Sequence, residues 1–131
     1  MQRTSNSGVS VYLVEDCAPL RARLVEIVQT SDACVVGEAE TADEAIAGIT
    51  LAHPDVVLLD LHLRRGGGLD VLRALTSSPA APAFIVLTND PNDGYRDACM
   101  AAGAQAFLDK SRDFLRINEI IGSIASHTQS Q

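Results

Sequence analysis

Five polar residues stand just beyond short apolar runs, and their side chains together suit phosphoryl transfer. Glu15 and Asp16 follow VYLV, Asp60 follows VVLL, Thr88 follows FIVL, and Lys110 is the second residue after AFL. If the three carboxylates lie close together they raise each other's pKa, so we expect a divalent cation between them. Oxygen donors without a nearby cluster of His or Cys favour Mg2+ or Mn2+.

Asp60 is the expected nucleophile of this site. The run VVLLD reads as the most buried strand of the chain, which would hold the carboxylate rigidly, and the glycines at 66–68 leave its approach open. The metal ion and Lys110 would neutralise the phosphoryl oxygens during in-line attack, and Thr88 adds a hydroxyl donor. Taken singly, a strand-end aspartate is more often a helix N-cap. Only the five residues together favour the phosphoryl site.

These side chains can meet if the runs before them are parallel strands of one sheet. β-rich segments alternate with segments whose apolar residues recur at helical spacing. Such alternation predicts a single α/β domain in which helices cover both faces of a parallel sheet and the carboxyl ends of the strands share one edge. The predicted strands are Val9–Val14, Cys34–Val36, Val56–Leu59, Phe84–Leu87 and Ala106–Leu108.

Capping residues predict three of the helix starts. Thr41 with Glu44 has the spacing of a capping box, Asp90 precedes a proline suited to the first helical position, and Ser111 can cap the last helix.

The stretch from VYLVED to the last predicted helix resembles the receiver domains of two-component response regulators. The resemblance implies a doubly wound (βα)5 fold of the flavodoxin-like, CheY-like type, with sheet order 2-1-3-4-5. It identifies Asp60 as the phosphoacceptor, with Glu15 and Asp16 as the acidic pair that binds metal. Thr88 corresponds to the switch hydroxyl and Lys110 to the invariant lysine.

The same resemblance assigns roles to three further residues. Phe107, three residues before Lys110, corresponds to the switch aromatic, and the backbone carbonyl of His62 corresponds to a metal ligand. The side chains of His62 and Asp90, two residues beyond Asp60 and the switch hydroxyl, stand where the family places residues that influence hydrolysis of the phosphoryl group.

Two positions depart from the family pattern. Arg64 and Ser111 stand where its members usually have proline. Neither change removes a group of the site. A cis peptide between Lys110 and Ser111 is not expected, because a non-proline cis bond costs about 2.5 to 4 kcal/mol.

The resemblance implies a signalling domain that catalyses only its own phosphorylation and dephosphorylation. Phosphate would come from a sensor histidine kinase or a histidine phosphotransfer protein. Thr88, Lys110 and Phe107 would couple its arrival to a protein-binding face formed by helix 4, strand 5 and helix 5, in a monomer or a phosphorylation-dependent dimer. Two alternatives stay open. An enzyme of the haloacid dehalogenase type needs a second aspartate where His62 stands, and an interaction module could hold one state without phosphorylation.

Composition excludes several other classes. The net charge of -7 argues against direct binding to nucleic acid, which needs clustered Lys and Arg. Three cysteines without CxxC spacing suggest neither a disulfide framework nor a zinc site, and fit the reducing cytoplasm. No apolar run is long enough to span a membrane. Four arginines are expected to be solvated rather than to form a docking patch, namely Arg21, Arg23, Arg64 and Arg65.

The ends of the chain set the predicted domain bounds. Residues 1–8 are a polar N-terminus expected to be flexible, residues 9–127 form the receiver domain, and residues 128–131 form a flexible tail. The short remainder after the last helix and the FLDKSRDF segment favour a stand-alone, single-domain member.

Overall fold

The computed structural model describes residues 8–90 and 92–129, which form five strands alternating with five helices. The strands are β1 (Val9–Val14), β2 (Ala33–Ala39), β3 (Val56–Asp60), β4 (Ala83–Thr88) and β5 (Ala106–Asp109). The helices are α1 (Ala18–Thr30), α2 (Ala42–Ala52), α3 (Gly68–Leu75), α4 (Asp93–Ala101) and α5 (Arg116–Gln129).

The five strands form one parallel sheet in the order β2-β1-β3-β4-β5, which confirms the predicted fold class and strand order. β3 is the central strand and is buried along its whole length. β2 is longer than predicted because it is an edge strand in which exposed residues, including Glu38, alternate with covered ones. An apolar run therefore detects only part of it.

Each face of the sheet is covered by its own helices. α1 and α5 pack on one face, where Leu24, Val28, Ile117 and Ile121 contact the inward side chains of the strands. α2, α3 and α4 cover the other face with a second cluster of buried residues. Burial on both faces explains why β3 and β4 read as continuous apolar runs.

Of the three predicted helix caps, only the one on α2 is confirmed. Thr41 Oγ1 accepts the N–H of Glu44 at 3.2 Å, while the Glu44 carboxylate accepts the N–H of Glu40 rather than that of Thr41. Asp90 does not cap α4, because the loop continues to Asn92, whose side chain accepts the N–H of Tyr95 at 2.9 Å.

The cap predicted at Ser111 is also wrong. Ser111 donates its N–H and its hydroxyl back to Asp109 Oδ1, at 2.8 Å each, and α5 begins only at Arg116. The Lys110–Ser111 peptide is trans, as expected without proline.

The predicted ends of the domain fall partly outside the described residues. Residues 1–7 of the expected flexible N-terminus and residues 130 and 131 of the expected tail lie outside them. α5 continues to Gln129, two residues into that tail. Among the helices that the structure describes, none has both the length and the apolar character required to cross a membrane.

Candidate functional site

The loop after β1 delivers the first two acidic side chains to the carboxyl edge of the sheet. Glu15 is only 1% exposed, and its backbone N–H donates to the carbonyl of Ala39 at the end of β2 at 3.0 Å. Its Oε2 accepts the N–H of Cys17 at 3.1 Å. Asp16, the next residue, is partly exposed. Because β1 is almost wholly buried up to Val14, the chain turns outward only at this acidic pair.

Asp60 is the last residue of the central strand and is 4% exposed. Its Oδ1 accepts the backbone N–H of His62 at 3.2 Å, and its Oδ2 lies 3.2 Å from Lys110 Nζ. The start of α3 packs tightly behind it, since a Cβ added to Gly68 would lie 2.6 Å from the Asp60 carbonyl oxygen. The strand and this glycine together hold the carboxylate in place.

Lys110 joins the two acidic segments. Its side chain is 9% exposed, and Nζ lies 2.9 Å from Glu15 Oε1 as well as 3.2 Å from Asp60 Oδ2. Its backbone N–H donates to the carbonyl of Thr88 at 2.8 Å, which ties the end of β5 to the end of β4. One ammonium therefore faces two buried carboxylates.

Burial and the contacts among these groups shift the pKa values of all three. Burial raises the pKa of both Glu15 and Asp60, and the contacts with Lys110 only partly oppose that rise. Burial acts to lower the pKa of Lys110, but the contact with Glu15 and the charge of Asp60 outweigh it, so that pKa is raised. The site holds a firmly charged ammonium and two acids that an additional cation would stabilise.

The acidic side chains suit a divalent metal ion. One carboxylate oxygen from each of Glu15, Asp16 and Asp60 lies within 4.8 Å of the others. Glu15 Oε1 is buried and, among the described residues, accepts no hydrogen bond of ordinary geometry despite its contact with Lys110. A set of carboxylate oxygens, one of them buried without a hydrogen bond among the described residues, fits Mg2+ or Mn2+.

Thr88 ends β4 and is fully buried at the same edge. Its Oγ1 accepts the backbone N–H of Asp90 at 2.9 Å, which joins the hydroxyl to the loop that leads to α4. The side chain of Asp90 itself is exposed. Phe107 is half-buried on β5 and packs against the cluster beneath α2, α3 and α4. Its switch role stays a prediction.

His62, in the loop after β3, contacts α4. Its imidazole is exposed and meets the ring of Tyr95 edge to face, with 5.1 Å between centroids and an interplanar angle of 78°. The ring contact links the loop after β3 to the first turn of α4. The predicted roles of the His62 carbonyl in metal binding, and of the His62 and Asp90 side chains in hydrolysis, stay predictions.

Arg21 was expected to be solvated, and for this residue the expectation is wrong. Its side chain is 17% exposed and contacts Glu38, Glu40 and the carbonyl of Glu15. Arg64 is exposed and pairs with Glu40. Apolar periodicity does not detect this pairing. The available signal is Glu38 on the edge strand β2 and Glu40 just after it, together with an arginine near the start of α1.

The chain is similar to a known family and to known proteins. The model for the "response regulator receiver domain" matches residues 11–122. The transcriptional activator DevR/DosR of Mycobacterium tuberculosis is 34% identical over 103 residues, covering 78% of this chain and 48% of the relative. A protein-glutamate methylesterase/protein-glutamine glutaminase of Myxococcus xanthus is 34% identical over 106 residues, covering 79% of this chain and 30% of the relative.

Solved structures agree with this relationship. The signal receiver domain of the NarL regulator of Mycobacterium tuberculosis superposes with a TM-score of 0.84 at 25% identity, covering 91% of this chain and 97% of that one. The chain spans about half the length of the first curated relatives it matches.

Proposed function

Because the chain belongs to the response regulator receiver domain family, we propose that Asp60 accepts a phosphoryl group from a phosphohistidine and that this event changes the proteins the domain binds. The observation that carries the proposal is the buried contact of one lysine with two acids. Lys110 Nζ reaches both Glu15 and Asp60 beside the candidate metal site. A purely structural ion pair does not require the second carboxylate.

The proposed step exchanges a P–N bond for a P–O bond. An Asp60 carboxylate oxygen attacks phosphorus as the bond to the histidine nitrogen breaks, and the electron pair of that bond returns to the imidazole. Lys110 holds positive charge beside the nucleophile, and Thr88 offers a hydroxyl donor at the end of the neighbouring strand. Mg2+ or Mn2+ held by Glu15, Asp16, Asp60 and the carbonyl of His62 would supply neutralisation of the phosphoryl oxygens.

Phosphorylation then acts on the adjoining elements. The phosphoryl group adds about -1.5 to -2 units of charge, which attracts Lys110 and the hydroxyl of Thr88. Since Thr88 accepts the N–H of Asp90, its movement draws in the loop before α4. The face formed by α4, β5 and α5, with Phe107 on β5, is the proposed binding surface for a downstream protein.

The proposed partners are proteins. A sensor histidine kinase or a histidine phosphotransfer protein would supply the phosphoryl group. The net charge of -7 argues against direct contact with nucleic acid, although a longer relative, 48% of which is covered by the match, is named as DNA-binding. The oligomeric state, the cytoplasmic location and the stand-alone character of the protein stay predictions.

The other two function classes receive less support. The haloacid dehalogenase type needs a second aspartate two residues after the nucleophile, where this chain has His62. An enzymatic activity such as the methylesterase of the Myxococcus relative would lie in the part of that relative that the chain does not cover. An interaction module that works without phosphorylation has no need of the paired acids and Lys110 in a buried site.

Intact mass after incubation with Mg2+ and acetyl phosphate tests the proposal. The wild type should gain one phosphoryl group, Asp60→Asn should gain none, and Asp97→Asn, an exposed acid on α4, should behave as the wild type. Retention of the added mass in Asp60→Asn, or its absence from the wild type, would contradict the assignment.

A further inference from the structure

Arg21 lies near the start of α1, and each of its three guanidinium nitrogens makes a polar contact. Nη1 donates to the backbone carbonyl of Glu15 at 2.7 Å, Nε lies 2.8 Å from Glu38 Oε1, and Nη2 lies 3.1 Å from Glu40 Oε2. The side chain is 17% exposed, whereas ordinary surface arginines are solvated. Three directed contacts of a rigid fork fix the position of whatever they hold.

The contact with Glu15 bears on the candidate metal site. The N–H of Glu15 donates to the carbonyl of Ala39, and its carbonyl accepts from Arg21, which is itself anchored to Glu38 and Glu40. Both backbone groups of the residue are thus tied, directly or through Arg21, to the end of β2. The peptide held in this way joins Glu15 to Asp16, the two acids that the loop after β1 contributes to the site.

The loop after β3 is joined to the same anchor. Arg64, four residues beyond Asp60, pairs with Glu40, and the carbonyl of Arg65 accepts the N–H of Ala42 at 3.0 Å. Arg64 is 60% exposed and Glu40 is 39% exposed, so this outer pair contributes little alone. Arg21, with a side chain that is 17% exposed, is the covered member of this set of contacts.

The charge of Arg21 and its position predict opposite effects on metal binding when the side chain is removed. A cation beside a metal site repels the metal, so by charge alone its removal should tighten metal binding. A group that orients ligands should weaken binding when it is removed. Arg21→Lys separates the two effects, because it keeps the charge and removes only the fork that contacts Glu38, Glu40 and the carbonyl of Glu15.

We propose that Arg21 is a positioning residue for metal binding, acting by holding the Glu15–Asp16 segment against the end of β2. The inference rests on the proposed function, since it concerns the divalent ion that the phosphoryl site would hold. It adds a residue outside the acidic cluster whose role is to set the direction of two ligands.

Titration with Mg2+ of three variants tests this role. Arg21→Lys keeps the charge and loses the fork, Arg21→Gln loses both, and Arg23→Gln removes an arginine of the same helix that lies over the ring of Phe114 instead. Calorimetry should give Kd values about tenfold weaker for both Arg21 variants, the low end for partners of metal ligands. Arg23→Gln should stay within about twofold of the wild type, the change expected of a distant screened charge.

Phosphorylation by acetyl phosphate supplies a second readout. In both Arg21 variants the Mg2+ concentration for half-maximal rate should rise by the same factor, while the rate at saturating Mg2+ stays near that of the wild type. Amide exchange of Asp16 and Cys17 should be faster in the metal-free variants, whereas a purely structural role would lower stability and leave the Kd unchanged.

Equal or tighter Mg2+ binding in Arg21→Gln, or an unchanged Kd in Arg21→Lys, overturns the inference. Measurements are made where the circular dichroism of each variant matches that of the wild type. If Arg21→Gln does not fold, Arg21→Lys decides, because charge alone predicts no change for it. Failure of the wild type to bind Mg2+ would instead count against the proposed function.

Discussion

At the scale of single residues, the site contains more buried negative charge than it can balance. Glu15 and Asp60 share one ammonium, and burial raises the pKa of both acids. A chain with such a site can fold, but binding of an added cation should be favourable because it neutralises the acids. The same imbalance that suits metal binding should therefore cost stability when no metal is bound.

Asp60→Asn should stabilise the metal-free protein at pH 7 by on the order of 1 kcal/mol. The variant removes one buried charge and leaves Lys110 paired with Glu15. The pKa of Asp60 is raised above its unfolded value near 3.9, so its contribution to stability is lost as pH rises through the interval between them. The gain in the variant should thus be small near about pH 4 and grow toward neutral pH.

Urea unfolding in EDTA across about pH 4 to 8 measures this difference. Asp97→Asn serves as the control, because it removes an exposed carboxylate. If Asp60→Asn is no more stable than the wild type at pH 7, Lys110 already compensates the negative charge of both acids.

At the scale of elements, the link between the site and α4 runs through Thr88 and the loop that follows it. The hydroxyl accepts the N–H of Asp90, and α4 carries Tyr95, whose ring meets His62 from the loop after β3. Two loops at the site therefore contact the same helix by different routes.

Thr88→Ala should accept the phosphoryl group but fail to pass the conformational change on to Tyr95 and Phe107. The nucleophile and Lys110 remain, so the mass should increase as in the wild type. NMR shift changes at Tyr95 and Phe107 should shrink to a small fraction of those in the wild type, because the bond from Asp90 to Thr88 is gone. Shift changes of normal size in phosphorylated Thr88→Ala would place the coupling elsewhere.

The packing of α2 on β1 depends on a glycine. A Cβ added to Gly48 would lie 1.9 Å from the hydroxyl oxygen of Tyr12, whose ring is buried between β1 and α2. Gly122 of α5 has nothing within 4 Å of such a Cβ. The same glycine-to-alanine substitution can therefore be compared at a crowded helical position and at an open one.

Gly48→Ala should lower the free energy of unfolding by about 1 to 3 kcal/mol, the usual cost of overpacking. Gly122→Ala should raise it by about 0.5 to 1 kcal/mol, because alanine is the better helix former and meets no neighbour. Denaturant unfolding of both variants gives the two signs. Stabilisation by Gly48→Ala would mean that Tyr12 can move aside at little cost.

At the scale of the whole molecule, metal binding and folding should be coupled. The three acids come from the loop after β1 and the end of β3, two strands that are adjacent in the sheet but separated in sequence, so the site exists only in the folded chain. A ligand that binds only the folded state stabilises it, by about 2.7 kcal/mol at a hundred times its Kd.

Mg2+ should therefore raise the melting temperature of the wild type in proportion to the logarithm of its concentration above the Kd. Asp60→Asn, which loses a proposed ligand, should respond far less, so its stability advantage should shrink or reverse as Mg2+ is added. Calorimetric melting with and without Mg2+, with Ca2+-free buffer and matched ionic strength, tests the coupling. Equal responses of the two proteins would exclude Asp60 as a ligand.

Local patterns in the sequence were sufficient to predict the parallel sheet, its strand order through the family resemblance, and the edge at which the acids, Thr88 and Lys110 lie. Apolar runs buried on both faces and helical periodicity depend on residues near each other in the chain, which is why they are visible there. The partners of Arg21, Ser111 and Asn92 were not predicted. Arg21 meets the carboxylates of Glu38 on β2 and of Glu40 just after it, a segment that only the fold brings beside α1. The partners of Ser111 and Asn92 depend on the residues at which α5 and α4 begin. Several nearby polar residues can cap a helix equally well, so tertiary packing decides where each helix starts.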